Sequence, residues 1–343
     1  MRFQRTVWIL FLLAAALAVY AVYSDFRPFR GFSGETFVDI RRGAGAFEIA
    51  AQLENAGVLR DQWPFLLLRL LRPASLLKAG EYRFDRPLSP VEVYRRIARG
   101  DVFYYTLTIP EGYSMWEIAE AAARTGVIPR QALLAEVRRG ERVADLAPGS
   151  HTLEGFLFPD TYRLTRHTTA EDLVGQMLKR FREVCKQLPP ATSLREAVVL
   201  ASLVEKETAV AAERPLVASV FHNRLRVGMP LQSDPTVIYA LQLAGRYRGE
   251  IFKDDLAVQS PYNTYMHPGL PPGPIANPGR ASLQAAFSPA ETNYFYFVAD
   301  SKGGHVFSAN LERHSRAVAG YRRANGRNSA HRKAKAKPDA WRR

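Results

Sequence analysis

The stretch LASLVEKETAVAA, Leu200 to Ala212, places two glutamates inside a run that is otherwise mostly small and apolar. A surface helix keeps its acids on one polar stripe. Here Ala, Leu and Val surround them on nearly every side, so the segment reads as buried. Burial strips water from a carboxylate, favours its neutral form and raises its pKa, which is the condition a general acid needs near neutral pH. Residues two apart on a helix lie about 200° apart around its axis, so Glu205 and Glu207 cannot line one cleft wall together. One faces the chemistry and the other takes a supporting contact, with an arginine such as Arg214 or Arg224 as the natural partner. The apolar neighbours of Glu207 at helical spacing are Leu203, Val204, Val210 and Ala211.

A second carboxylate candidate is Asp234, in Gln232-Ser-Asp-Pro235. Asp directly before Pro is a favoured helix start, so Asp234 reads first as the cap of a helix opening at Pro235. The remaining polar candidates are Gln232 itself and Tyr262, Asn263 and Thr264. His222, His267, His305 and His314 fall in the same half of the chain, but their spacing matches no metal-ligand signature, and no metal or cofactor is expected. One cysteine, Cys185, excludes an intrachain disulfide and reads as a packed small residue.

The elements that must hold these residues follow from pattern. Leu173 to Leu188 has helical apolar spacing and stops at Pro189-Pro190. The buried helix begins near Leu194, and another covers Pro215 to Leu225. Residues 260–279 carry Pro268, Pro271, Pro272, Pro274 and Pro278, which forbid a hydrogen-bonded ladder, so this is an irregular loop that lines a cleft or binds something. Tyr294–Ala299 and His305–Ser308 flank Asp300-Ser-Lys-Gly-Gly304 as a hairpin. Upstream the chain repeats itself: Phe37 to Gly43 followed by Phe47-Glu-Ile-Ala50 returns at Tyr105 to Gly112 followed by Trp116-Glu-Ile-Ala119, at an offset of 69 residues, Gly43 to Gly112. Each copy reads as a strand, a turn and a helix.

Val7 to Tyr23 is an uncharged apolar run preceded by Arg2 and Arg5, long enough to span a bilayer with a cytoplasmic N-terminus and export of everything after it. The alternative is a cleaved signal peptide with Ala16-Leu-Ala18 as its processing site; the run continues past it, which favours an anchor. The net charge of +14 is concentrated after Tyr321, where nine Lys or Arg face one Asp. That tail reads as disordered, either solvated without a partner or meeting acidic lipid or anionic wall polymers, and nucleic acid is disfavoured because the anchor exports the chain.

The repeated strand–helix units resemble LysM-like modules, which bind the N-acetylglucosamine-containing glycan of bacterial walls. VEKET, NRLRVGMPLQSDPTVIYA, SPYNTY, GLPPGPIANPG and YFYFVADSKGGHVFS, in this order, resemble the YceG-like family of membrane-anchored endolytic murein transglycosylases, the MltG group. That resemblance implies an α+β fold and a single-pass inner-membrane enzyme with a periplasmic bulk. Its domains would be a cytoplasmic N-terminus and anchor (1–24), a LysM-like glycan-binding region (36–125), a connector (126–193), a mostly helical catalytic domain completed by a β-hairpin (194–322) and a basic disordered tail (323–343). It also implies cleavage of peptidoglycan strands to 1,6-anhydro-N-acetylmuramic ends, with peptidoglycan synthases as candidate partners. Because such enzymes place their acid before a hydroxyl residue, the resemblance selects Glu207, followed by Thr208, as the catalytic acid. Glu205, Gln232, Asp234, Tyr262, Asn263 and Thr264 are then the candidate substrate contacts. The rivals are a non-catalytic wall-binding scaffold and a hydrolytic muramidase.

Overall fold

The computed structural model describes residue 23 and residues 26–190, 193–300 and 303–335, with side chains through residue 324. All of the apolar run except Tyr23 lies outside the described residues, among which no helix is long and apolar enough to cross a membrane. Among the described residues the architecture is α+β, many short helices with three two-stranded sheets, and the chain divides into two compact units. The first runs up to Tyr105 and includes Arg163–His167; the second holds Thr106–Tyr162 and everything from Thr168 onward.

In the first unit, β1 (Thr36–Ile40) pairs antiparallel with β2 (Gly80–Phe84), Thr36 opposite Phe84 and Ile40 opposite Gly80. Alternation does the sorting: Val38 and Ile40 are buried while Phe37 and Asp39 are not. Between the strands lie α1 (Ala46–Asn55) and α2 (Trp63–Leu71), and α3 (Pro90–Arg99) follows. Ile49, Leu53, Phe65, Tyr82, Phe84 and Ile97 close one core. A capping box between Ser89 and Glu92 starts α3, and Gly100, with φ of 76°, ends it.

The same order returns as β3 (Tyr105–Thr108), α4 (Met115–Arg124), α5 (Arg130–Val137) and β4 (Thr161–Leu164), with β3 paired to β4. Helices α1 and α4 hold the offset of the sequence repeat at both ends, and their buried faces correspond, Ile49, Ala50 and Leu53 with Ile118, Ala119 and Ala122. Gly43 and Gly112, at φ of 83° and 78°, make the equivalent left-handed turn before each helix. The repetition is therefore strand–helix–helix–strand, and the second copy closes at Leu164, within the segment expected to be a connector. Its second halves share little sequence, WPFLLLRLL against RQALLAEV, which hides it from pattern comparison.

The second unit continues with α6 (Ala170–Cys185), α7 (Leu194–Glu207), α8 (Arg214–Arg226), α9 (Asp234–Leu243), α10 (Arg280–Phe287), the hairpin of β5 (Tyr296–Ala299) and β6 (His305–Ser308), and α11 (Leu311–Lys335). Every residue of α7 from Ala197 to Val204 is buried, against α8, α9 and α10. Helix α11 runs past 323, the expected start of the tail; Ala, Arg and Lys are strong helix formers.

A polar knot fixes the loop before α10. Buried Asn277 donates its side-chain N–H groups to the Tyr113 carbonyl (2.9 Å) and to Glu154 Oε1 (2.6 Å), and accepts from the Gly155 and Leu157 N–H groups, both at 2.9 Å. Replacing it by alanine strands the buried Gly155 and Leu157 N–H groups and takes one donor from the buried Glu154 carboxyl. Asn277→Ala is expected to cost roughly 3 kcal/mol, read as a lower melting temperature, whereas an exposed change such as Arg138→Ala should leave melting where it was.

Candidate active site

The two glutamates leave α7 on opposite sides. Arg195, Ser202 and Glu205 form one stripe of the helix, and all three hold the proline-rich loop, whose few free backbone groups they satisfy. Arg195 donates to the Pro272 carbonyl (2.5 Å), the Ser202 hydroxyl accepts the Ile275 N–H (3.1 Å) and Glu205 Oε2 accepts the Gly279 N–H (2.9 Å). Glu205 also takes the Arg214 guanidinium at 3.1 Å, so it makes the supporting contact expected of it. The helix ends at Glu207, with Thr208 already extended (φ −139°, ψ 132°). Val210 and Ala211, expected to flank Glu207 on the helix, lie beyond its end and are exposed.

Dryness around Glu207 comes instead from the surrounding elements. Its carboxyl opens into a cavity of about 260 Å³ shared with Arg224, Gln232, Asp234, Tyr265 and His314. Desolvation pushes its pKa from 4.5 to about 7; the Ser233 hydroxyl, which donates to Oε1, pulls the other way, and the nearby Asp234 charge adds to the rise. Ser233 is itself locked, since its N–H donates to the Thr264 hydroxyl oxygen (3.0 Å) and its carbonyl accepts from Thr236 (2.6 Å). Before it, Gln232 adopts φ of 49°, the one left-handed non-glycine residue among those described, and strain of this kind concentrates where a side chain must be aimed. Buried Arg224 pins both rims, donating to the Leu231 and Phe295 carbonyls at 2.7 Å each.

From the other side Thr208 reaches Glu213 (3.2 Å), which accepts the His305 N–H (2.8 Å) and meets His305 Nδ1 at 2.7 Å. Burial pushes the Glu213 carboxyl up, but the His305 hydrogen bonds prevail and hold it below the usual range. The hairpin is thereby fastened to the turn that follows the acid.

The expected substrate contacts divide. Gln232 and Asp234 line the cavity. Asp234 caps nothing, contrary to expectation: Ser233 holds the N-cap position of α9, and Asp234 in the first turn accepts the Tyr265 hydroxyl at 2.6 Å. Asn263 is buried and spends its amide on the Leu256 and Val258 carbonyls, and Thr264 is buried behind Ser233, so both build the loop and do not reach the cavity. The Tyr262 ring packs on Tyr239, 4.9 Å between centroids. Pattern reading missed Ser233 and Tyr265, each one residue from a named candidate, and His314, more than a hundred residues downstream of Glu207. A larger recess of about 1000 Å³ lies along α8 at Ser219, His222, Arg226 and Tyr294, but its one carboxylate, Glu291, is exposed and lacks the dry setting of Glu207.

Two substitutions should move the titration of Glu207 in opposite directions. Ser233→Ala removes a bond that favours the ionised form, so the pKa climbs further; Asp234→Asn removes a like charge, so it falls toward the ordinary carboxyl value. The carboxyl carbon resonance of Glu207 followed against pH reads both shifts.

The family model described as the YceG-like family matches residues 38–320. An endolytic murein transglycosylase of Bacillus subtilis is 32% identical over 305 residues, spanning 83% of this chain and 84% of the relative. The enzyme of that name from Streptococcus pneumoniae is 32% identical over 319 residues, 82% of this chain and 57% of the longer relative. A crystal structure of a YceG-like protein from Listeria monocytogenes superposes with a TM-score of 0.53 at 32% identity, covering 82% of this chain and 98% of that one. With the match running from β1 into α11 and taking in every residue that lines the cavity, the chain belongs to the YceG-like family.

Proposed function

We propose that this chain is an endolytic peptidoglycan lytic transglycosylase, with Glu207 as the acid and then the base. The observation that carries the reading is the Glu207 carboxyl, poised near neutrality at the dry end of α7 and open to a polar cavity. In the reaction Glu207 gives its proton to the oxygen leaving toward N-acetylglucosamine, and the bond from that oxygen to C1 of N-acetylmuramic acid breaks. The 6-hydroxyl of the same muramic residue then bonds to C1 and returns its proton to Glu207, so the product is a 1,6-anhydro end and no water is consumed. Asp234, oriented by Tyr265, supplies negative charge toward the oxocarbenium-like centre.

One observation favours a second reading. Asp234 is a carboxylate lining the same cavity, held by the Tyr265 hydroxyl, instead of a helix cap, and a second carboxylate is what a hydrolytic muramidase uses to hold water or to form a covalent intermediate. A non-catalytic scaffold would not require an acid held in this setting. The apolar run Val7–Tyr23 supports an inner-membrane anchor with the described units in the periplasm, and the two strand–helix–helix–strand repeats support glycan holding along a strand, which favours internal cuts. Glycan strands are the partner this chemistry requires; synthases that make them are the natural neighbours.

Glu207→Gln keeps the Ser233 hydrogen bond but has no proton to give, and is expected to lower strand cleavage roughly 10²–10⁴-fold. It should also melt higher than the parent at pH 8. The fold raises this carboxyl from 4.5 to about 7, so the unmodified chain loses stability as pH climbs through that window, on the order of 3 kcal/mol, and at pH 4 the two should melt together. Glu205→Gln should do the reverse, losing about 3 kcal/mol of stability because it removes the close charge partner of Arg214, which keeps only the more distant Glu111 at 3.6 Å, while the folded fraction still cleaves. Full cleavage by the Glu207 variant would sink the assignment.

A further inference from the structure

Helix α2, WPFLLLRLL, has one polar residue in nine, and only one of its faces is used by the fold. Pro64, Phe65 and Leu68 enter the core of the first unit. On the other side Trp63 is 36% exposed, Leu70 75% and Leu71 68%, and Leu76 just beyond the helix is 78% exposed. A helix that is apolar all round is normally covered on both sides. The exposed leucines are not on a frayed end: Arg69 Nη1 donates to the carbonyls of Arg72 (3.2 Å), Pro73 (2.8 Å) and Ser75 (2.7 Å), which ties the turn carrying Leu71 and Leu76 to the helix, and the Tyr94 hydroxyl also holds the Arg72 carbonyl (3.3 Å).

Two further observations say what covers this face. Charge is the first: from Arg60 to Lys78 four basic residues, Arg60, Arg69, Arg72 and Lys78, accompany a single acid, Asp61, whose carboxylate is spent on the Trp63 N–H (2.9 Å). The second is where the apolar run ends. Tyr23 is its last residue, Arg27 stacks over the Tyr23 ring at 5.3 Å, and Phe26 meets Trp63 edge-on with 6.1 Å between centroids. The chain thus passes from the run expected to span a bilayer directly onto the start of α2, and nine residues of helix reach about 13 Å from there to the leucines.

We infer that the outer face of α2, with Leu70, Leu71 and Leu76, docks into an anionic lipid surface, apolar side chains below the headgroups and the flanking Arg60 and Arg72 among the phosphates. This is the arrangement of an interfacial helix, with aromatic, leucine and basic residues in their usual places. It rests on the anchor reading of Val7–Tyr23 for its proximity to lipid, and adds a second contact that fixes the first unit against the membrane instead of leaving it on a free tether.

The test places nitroxide labels on the full chain, with Cys185→Ala, in vesicles of phosphatidylglycerol and phosphatidylethanolamine. Leu71→Cys and Leu76→Cys sit on the proposed surface, and Asp85→Cys, exposed in the same unit, is the aqueous control. Relaxation by oxygen should exceed relaxation by a water-soluble nickel complex several-fold at 71 and 76, with the reverse at 85. Equal, water-like behaviour at all three sites overturns the docking, as does shielding from both reagents with dipolar broadening between labels, which would mean a second copy of the chain covers the face. An alkaline carbonate wash of the same vesicles separates the two readings: a chain that stays with the lipid while 71 and 76 remain aqueous keeps the anchor and loses the docking. A chain that washes off yet shows lipid exposure at 71 and 76 before the wash keeps the docking and loses the anchor.

Discussion

A carboxyl at the end of a helix buried from Ala197 to Val204 is shielded on the helix side and opens into a small polar cavity. That constraint organises the second unit. Glu207 needs its approach kept dry, which α8, α9 and α10 provide by packing around α7, and it needs a single small polar opening, which the 230–233 loop, Tyr265 and the hairpin frame. Arg224 fastens two of these rims through backbone carbonyls and, as a buried cation near Glu207, limits how far desolvation can raise the carboxyl. The Ser233 hydroxyl sets the same limit more directly. The resulting group is neutral often enough to donate a proton and ionised often enough to recover one.

The 200° between residues two apart on a helix explains why two acids so close in sequence serve different purposes. Glu205, with Arg195 and Ser202 on its stripe, satisfies the loop whose prolines leave it short of hydrogen-bond donors, and its charge is matched by Arg214. Glu207 is released from that task. Without the first acid the Gly279 N–H and Arg214 would lose a partner, so the pair divides into a structural and a chemical half.

Much of this was legible from residue order: the buried acids, the division of labour between them, the hairpin, the irregular proline-rich loop and the strand–helix repeat. What escaped the sequence had particular causes. Asp before Pro reads as a cap, but the strained backbone at Gln232 moves the cap position to Ser233 and turns Asp234 to the cavity. Asn263 and Thr264 look like sugar contacts because they are polar and sit in a loop, yet an irregular loop must satisfy its own backbone first. Tyr265 and His314 carry no local signature, since only the tertiary fold brings them to Glu207. The end of α7 at Glu207 was hidden because Thr208 to Ala212 continues the small, apolar composition without a proline or glycine to mark a stop.

Two carboxylates in one cavity leave the identity of the attacking oxygen as the decisive question, and isotope-resolved mass spectrometry answers it. Purified glycan strands digested in ¹⁸O-enriched water, without reduction, should yield new muramic ends that are anhydro and carry no ¹⁸O, because the 6-hydroxyl and not solvent closes on C1 once Glu207 has protonated the leaving oxygen. New ends that are reducing and labelled with ¹⁸O would contradict the account and assign Asp234 to the activation of water or to a covalent intermediate.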